Sequence, residues 1–170
     1  MILNIHYLNL DMVLAIKNNI LRKAKFSNDK KERFSLSRQW DQSKRKILYI
    51  MFNPSIADNE KDDPTIRRLI NFTIKFNYGG FFVGNIFSLI TPYPDQINTL
   101  NGSSIKNIRE LKKLINQVDK VVYAWGNLTE EPKFLKDLVF NPECFGKNLN
   151  GSPKHPLYLP SYSKLVSFRT

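Results

Sequence analysis

Hydrophobic and polar positions alternate in blocks along this chain. Residues 46–52 (KILYIMF), 80–86 (GFFVGNI) and 120–125 (KVVYAW) are short, nearly unbroken apolar runs, and 143–146 (ECFG) is a weaker fourth. Runs of that length, without a polar position every second residue, predict strands covered on both faces. The segments between them have a different period. After Asp63-Pro64, the residues Ile66, Leu69, Ile70, Thr73 and Ile74 fall on one side of a helix, with Asp63 as its cap and Pro64 in its first position. Ser103 or Ser104 opens a second helix running to Gln117, with Ile105, Ile108, Leu111, Leu114 and Ile115 on one face, and residues 129–138 predict a third. At the front, residues 10–25 read as a helix with Asp11 as cap and a loose stripe of Leu14, Ile16, Ile20 and Leu21. A charged connector, residues 28–33, leads on to residues 34–40.

Strands alternating with helices predict an α/β fold: a three-layer α/β/α domain around a mainly parallel four-stranded sheet. The expected organisation is one domain over residues 1–170, with an N-terminal helical extension, 1–32, ahead of a core at 33–160.

In such sheets ligands bind beyond the carboxyl ends of the strands, and the unusual polar residues fall there. Asn53-Pro54-Ser55 follows the first run directly. Its amide can orient a water or bond a ligand, or else satisfy its own backbone in a turn. Asn85 ends the second run; a buried amide must find partners, and either a nucleobase edge or neighbouring backbone supplies them. Phe87 and Tyr93 offer rings that stack on a base or fill the core. Trp125-Gly126 ends the third run. His155, one of two histidines, lies in Gly151-Ser-Pro-Lys154-His155-Pro156-Leu-Tyr158, stiffened by two prolines. Arg67 and Arg68 sit in the first turns of the helix after Asp63, either reaching a phosphate or solvated. His6, in an apolar stretch, is read as packing.

Composition narrows the function classes. Lys and Arg number 26 against 15 Asp and Glu, a net charge of +11, which favours polyanionic partners or else reflects a lysine-rich surface. No run of about 18 apolar residues is present, so no membrane span is expected, and residues 1–7 lack the features of a signal peptide. Cys144 is the single cysteine, which excludes an internal disulfide and a cysteine metal cage and favours the cytoplasm. Seven scattered glycines form no phosphate loop. No cofactor and no metal are expected.

The motifs Arg38-x-Trp40, Asn53-Pro-Ser-x-Ala57, Asp63-Pro-Thr-x-Arg67-Arg68, Gly84-Asn-Ile-Phe87, Ala124-Trp-Gly126 and Gly151-x-Pro-x-His155-Pro-Leu-Tyr158 resemble the bacterial and phage domain-of-unknown-function family 1643, over about residues 33 to 160. That family's name carries no activity. More remotely, the order of features is similar to the uracil-DNA glycosylase superfamily. In its members a proline-containing water-positioning loop follows the first core strand, in an Asn-Pro form in the mismatch-specific branch. A base-reading Asn ends a following strand, and a His-Pro loop supports the departing base.

That second resemblance implies a uracil-DNA glycosylase-like fold and a DNA glycosylase-like enzyme that hydrolyses the N-glycosidic bond of a damaged or modified base. Asn53 and His155 would be catalytic. Pro54, Ser55, Asn85, Phe87, Trp125, Gly126, Pro156 and Tyr158 would contact base or substrate, and Arg67, Arg68 and Lys154 would hold phosphates. The partner would be nucleic acid, DNA before RNA, met by a monomer. The loop departs from the fastest uracil enzymes in having Asn-Pro-Ser where they carry an aspartate, and Leu157-Tyr158 replaces their serine-rich turn. Two alternatives stand beside it: a non-catalytic module binding nucleic acid or a modified nucleotide, and a hydrolase or transferase acting on a free nucleotide.

Overall fold

The computed structural model describes residues 15–16, 19–99 and 102–169. In chain order its elements are β1 (Leu21–Phe26), β2 (Arg33–Gln39), β3 (Lys46–Met51), α1 (Pro64–Lys75), β4 (Gly80–Asn85), α2 (Ile105–Ile115), β5 (Lys120–Tyr123), α3 (Lys133–Leu138), β6 (Glu143–Cys144) and β7 (Val166–Ser167), with 3-10 turns at Pro94–Gln96 and Pro156–Tyr158.

The four anticipated strands lie side by side and parallel, in the order β4-β3-β5-β6. The sheet they belong to is larger than expected. β2 pairs antiparallel with β4, β1 antiparallel with β2, and β7 antiparallel with β6, giving a seven-stranded mixed sheet in place of a mainly parallel four-stranded one. The expected helix over residues 10–25 is corrected at its end: Leu21–Phe26 is a strand. Its burial alternates residue by residue, with Leu21, Lys23 and Lys25 outward and Arg22, Ala24 and Phe26 half-buried. This two-residue period, hidden among basic residues, prevails over the looser helical stripe. Residues 15–16 are helical, and the helix expected over 10–14 and 17–18 lies outside the described residues. The segment 1–32 is therefore no purely helical extension, since its last part is an edge strand of the sheet.

Alternation along the inner strands builds two cores. Ile47, Tyr49 and Met51 of β3, with Phe81 and Val83 of β4, face α1 through Leu69, Ile70 and Phe72. Leu48 and Ile50, with Phe82, Val121 and Tyr123, face the opposite layer of Leu114 and Leu135 from α2 and α3. The helices thus cover both faces, as α/β alternation requires. α2 lies so close to β4 that a Cβ on Gly84 would come within 2.3 Å of Leu111 Cδ2. Among the described residues no helix is long and apolar enough to cross a membrane.

One topological fact positions the site. β3 is followed through α1 by β4 on one side of it, and β4 through α2 by β5 on the other side. The chain changes direction at β3, and the carboxyl ends of strands at such a switch are where open α/β sheets bind their ligands.

Candidate functional site

The loop from β3 to α1 is held from beneath by Arg38, which is fully buried. Its Nε donates to Asp62 Oδ1 at 2.6 Å, one Nη donates to the Ser37 carbonyl at 2.9 Å, and the other reaches the carbonyls of Asp58 (2.7 Å) and Lys61 (3.3 Å). Arg22 of β1 adds a second contact to Asp62 at 3.3 Å. Asp58 Oδ1 accepts from the amides of Glu60 and Lys61, both at 2.8 Å. A polar loop is thereby fixed in place by the antiparallel strands that sequence reasoning did not assign.

Asn53 ties this loop to the one after β4. Its Nδ2 donates to the carbonyls of Pro54 (3.0 Å) and Thr91 (2.8 Å), which commits the nitrogen and leaves Oδ1 as an acceptor. Asn85, level with Met51 in the register, is only 1% exposed. Its backbone carbonyl accepts from Asn107 Nδ2 at 2.8 Å, yet neither Nδ2 nor Oδ1 of its own side chain has a partner. By alternation with Phe81 and Val83 it faces the α1 side of the sheet. An unsatisfied buried donor or acceptor costs about 1–3 kcal/mol, and an edge offering both an acceptor and a donor would satisfy this amide.

The histidine loop closes the same side. Gly126, in the left-handed region at φ +80°, takes the chain out of β5 past the His155 side chain, and a Cβ there would lie 3.3 Å from His155 Cβ. The loop is braced by Asn148, whose Nδ2 donates to Ser152 Oγ (3.1 Å) and the Pro153 carbonyl (3.2 Å), and by the Lys154 amide on the Gly146 carbonyl at 2.9 Å. His155 caps the 3-10 turn Pro156–Tyr158: its Nδ1 accepts from the Leu157 amide at 3.2 Å. That bond assigns the neutral tautomer, with the proton on Nε2, which has no hydrogen-bond partner among the described residues. Burial pushes the His155 pKa down, and the Asp63 carboxylate partly opposes this.

The unfolded histidine titrates near 6.5, so between that value and the lowered folded one the unfolded chain binds the extra proton. The contribution of neutral His155 to stability is complete above pH 6.5 and is lost as pH falls through the folded pKa. Urea unfolding at a series of pH values should show stability declining on acidification below 6.5, less steeply in His155→Gln; equal slopes in both proteins would refute the assignment.

α1 packs against the 3-10 turn that His155 caps. At its start Asp63 Oδ1 accepts from the Ile66 amide at 2.8 Å, as its place before Pro64 predicts. Arg33, which escaped notice inside a charged run, is 3% exposed. One Nη donates to the Ala57 carbonyl, and its Nε is buried without a partner. Burial pulls its pKa down to about 10, while Asp63 and Asp58 pull the other way. The clearer signal in sequence was Arg38, in phase with the apolar positions Phe34 and Leu36 of β2.

The structure thus brings Asn53, Asn85, Gly126 and His155 to the carboxyl ends of β3, β4 and β5, with Pro54 and Pro156 buried beside them. It gives other predicted residues different settings. Trp125 is fully buried, its indole N–H donating to the Thr129 carbonyl at 2.9 Å, and Phe87 packs edge-on against Phe52 in the core. Ser55 lines a separate hollow of about 440 Å³ with Phe26 and Ile90. Arg67 donates to the Asp62 carbonyl and lines one hollow with Arg22, whereas Arg68 lies over the Phe72 ring at 4.9 Å. Lys154 and Tyr158 are exposed. The rim also exposes Ile56, Leu128 and Leu149, each from a different strand-end loop. Among the described residues no group of three or more His, Cys, Asp or Glu side chains is gathered where it could hold a metal ion.

Residues 33–157 match a protein family described as Protein of unknown function (DUF1643). No curated protein and no solved structure matches the chain.

Proposed function

The chain belongs to the DUF1643 family, and from the geometry of its strand-end face we propose that it is a DNA glycosylase-like enzyme, hydrolysing the N-glycosidic bond of a damaged or modified base. The observation that carries this reading is the buried, wholly unpartnered amide of Asn85. A nucleobase edge pairs a carbonyl with a ring or exocyclic N–H, which is the complement of one amide. A base turned out of its stack into the pocket would satisfy both atoms at once.

The other groups fit the bond-breaking step. As the glycosidic bond lengthens, negative charge collects on the base and positive charge on the sugar. A neutral His155 offering Nε2–H in a water-poor pocket stabilises the first. Asn53 Oδ1 orients the water, its amide held rigid by two carbonyls. The +11 charge and the exposed apolar side chains on the rim favour a polymer over a free nucleotide, since a small ligand needs neither. The order of these parts along the chain is the one on which the remote resemblance to uracil-DNA glycosylases rests. One observation favours a second reading, a non-catalytic nucleobase-binding module: an amide at position 53 cannot take a proton from water.

Oligonucleotides carrying a single uracil, hydroxymethyluracil, hydroxymethylcytosine or hypoxanthine, followed by cleavage at abasic sites, test the proposal. Release of one of these bases, lost in His155→Ala and Asn53→Ala, is the expected result. Release at the same rate in both variants would sink the mechanism, and no release from any substrate would favour the binding module.

A further inference from the structure

We propose that a hollow at the other end of the sheet binds a nucleoside phosphate, with Lys75 and Lys164 on the phosphate and the rings of Phe76, Tyr78 and Tyr162 against the base. The inference uses none of the strand-end residues and stands independently of the glycosidic reading.

Topology places the hollow. Lys75 is the last residue of α1, Tyr78 precedes β4, and Lys120 and Glu143 are the first residues of β5 and β6. Tyr162 and Lys164 come from the segment that returns to β7. These are the amino ends of the parallel strands, whereas Asn53, Asn85 and Gly126 lie at the carboxyl ends. β3 has six residues, so the two ends are roughly 20 Å apart. The hollow measures about 710 Å³, inside the range of roughly 300–1,000 Å³ for small-molecule sites.

Its charge selects an anion. Three ammonium groups line it against one carboxylate. Lys120 Nζ donates to Glu143 Oε1 at 2.5 Å, which neutralises that pair, and Asp119 next to it is paired with Arg45 at 2.7 Å. Lys75 Nζ donates to the Ser161 carbonyl at 2.9 Å, a neutral partner. Its charge is not needed at the end of α1, where the carbonyls of Phe72, Thr73 and Ile74 already accept from the amides of Phe76, Tyr78 and Asn77. Lys164 is exposed and has no ion pair or hydrogen bond among the described residues. Two positive charges are left over, which match the charge of about −1.5 to −2 on a phosphate monoester.

The rings extend the ligand beyond phosphate. Phe76 is fixed by stacking on Phe72, with centroids 6.0 Å apart and planes at 15°, and by Phe145 at 6.2 Å. Tyr78 is half-buried, and Tyr162 is 76% exposed. A base stacked on these rings would cover apolar surface that a bare phosphate leaves in water.

Isothermal titration of the full chain with AMP, GMP, CMP and UMP tests the site, beside adenosine, inorganic phosphate and a 5′-phosphorylated oligothymidine. Saturable binding of at least one nucleotide is expected, about 10-fold or more tighter than adenosine or phosphate and weakened by salt. Lys75→Gln/Lys164→Gln should lower that affinity by about 10-fold or more at an unchanged melting temperature, and Tyr162→Ala should lower it as well. Tighter binding of the oligonucleotide than of any mononucleotide would support the site with a strand end as the source of the phosphate. No saturation by any nucleotide or by the oligonucleotide would overturn the proposal. So would unchanged binding in the double lysine variant, or adenosine or phosphate bound as tightly as the nucleotides.

Discussion

Asn85→Leu should be more stable than the wild type and unable to recognise its ligand. The side chains are close in size, and Asn85 sits 1% exposed with both amide atoms unpaired. Each unpaired buried group costs about 1–3 kcal/mol, so an apolar replacement of similar shape should raise the unfolding free energy by at least about 1 kcal/mol. Few substitutions of a polar residue by an apolar one act in that direction. Urea denaturation measures the gain, and binding of an oligonucleotide carrying the modified base measures the loss. A destabilised Asn85→Leu would mean that the amide is satisfied in solution by ordered water, and a variant that binds normally would remove Asn85 from the site.

Arg38→Met should have the opposite and larger effect. The Arg38 guanidinium is fully buried and bonds Asp62, Asp58 and Lys61 together. Taking away one partner of a buried pair leaves the other charge uncompensated, typically at a cost of about 3–5 kcal/mol. Arg22 remains to Asp62 at 3.3 Å and moderates the loss. The expected result is a melting temperature lower by many degrees and early protease cleavage within residues 56–61. The double variant Arg38→Met/Asp62→Leu should recover part of the stability, because it removes both charges. Intact protease resistance in the single variant would show that the loop is held by something else.

Much of the inner fold could be read from sequence because its signals are local. Asp63-Pro64 announces α1, Ser104 caps α2, and unbroken apolar runs mark β3, β4 and β5. The edge strands were not legible. β1 carries Arg22, Lys23 and Lys25, whose charges suit an exposed edge but mask its period, and β7 has only two residues. The strand ends were legible as a location because polar residues interrupt apolar runs there. What each residue does was less so. Trp125 looked like a ligand contact, but its bulk and single donor are spent within the core. Arg33 gave no signal, since burial of a charge depends on which strand lies beside it.

The antiparallel hairpin of β1 and β2 supplies Arg22, Arg33 and Arg38 to the loop that ends in Asp63. In evolutionary terms the two halves of the site are tethered at a distance. A substitution in β2 that weakens the clamp calls for a compensating change near residues 58–62, twenty or more positions along the chain. A chain that keeps Asn53, Asn85 and His155 but lacks these arginines would carry the motif without the pocket.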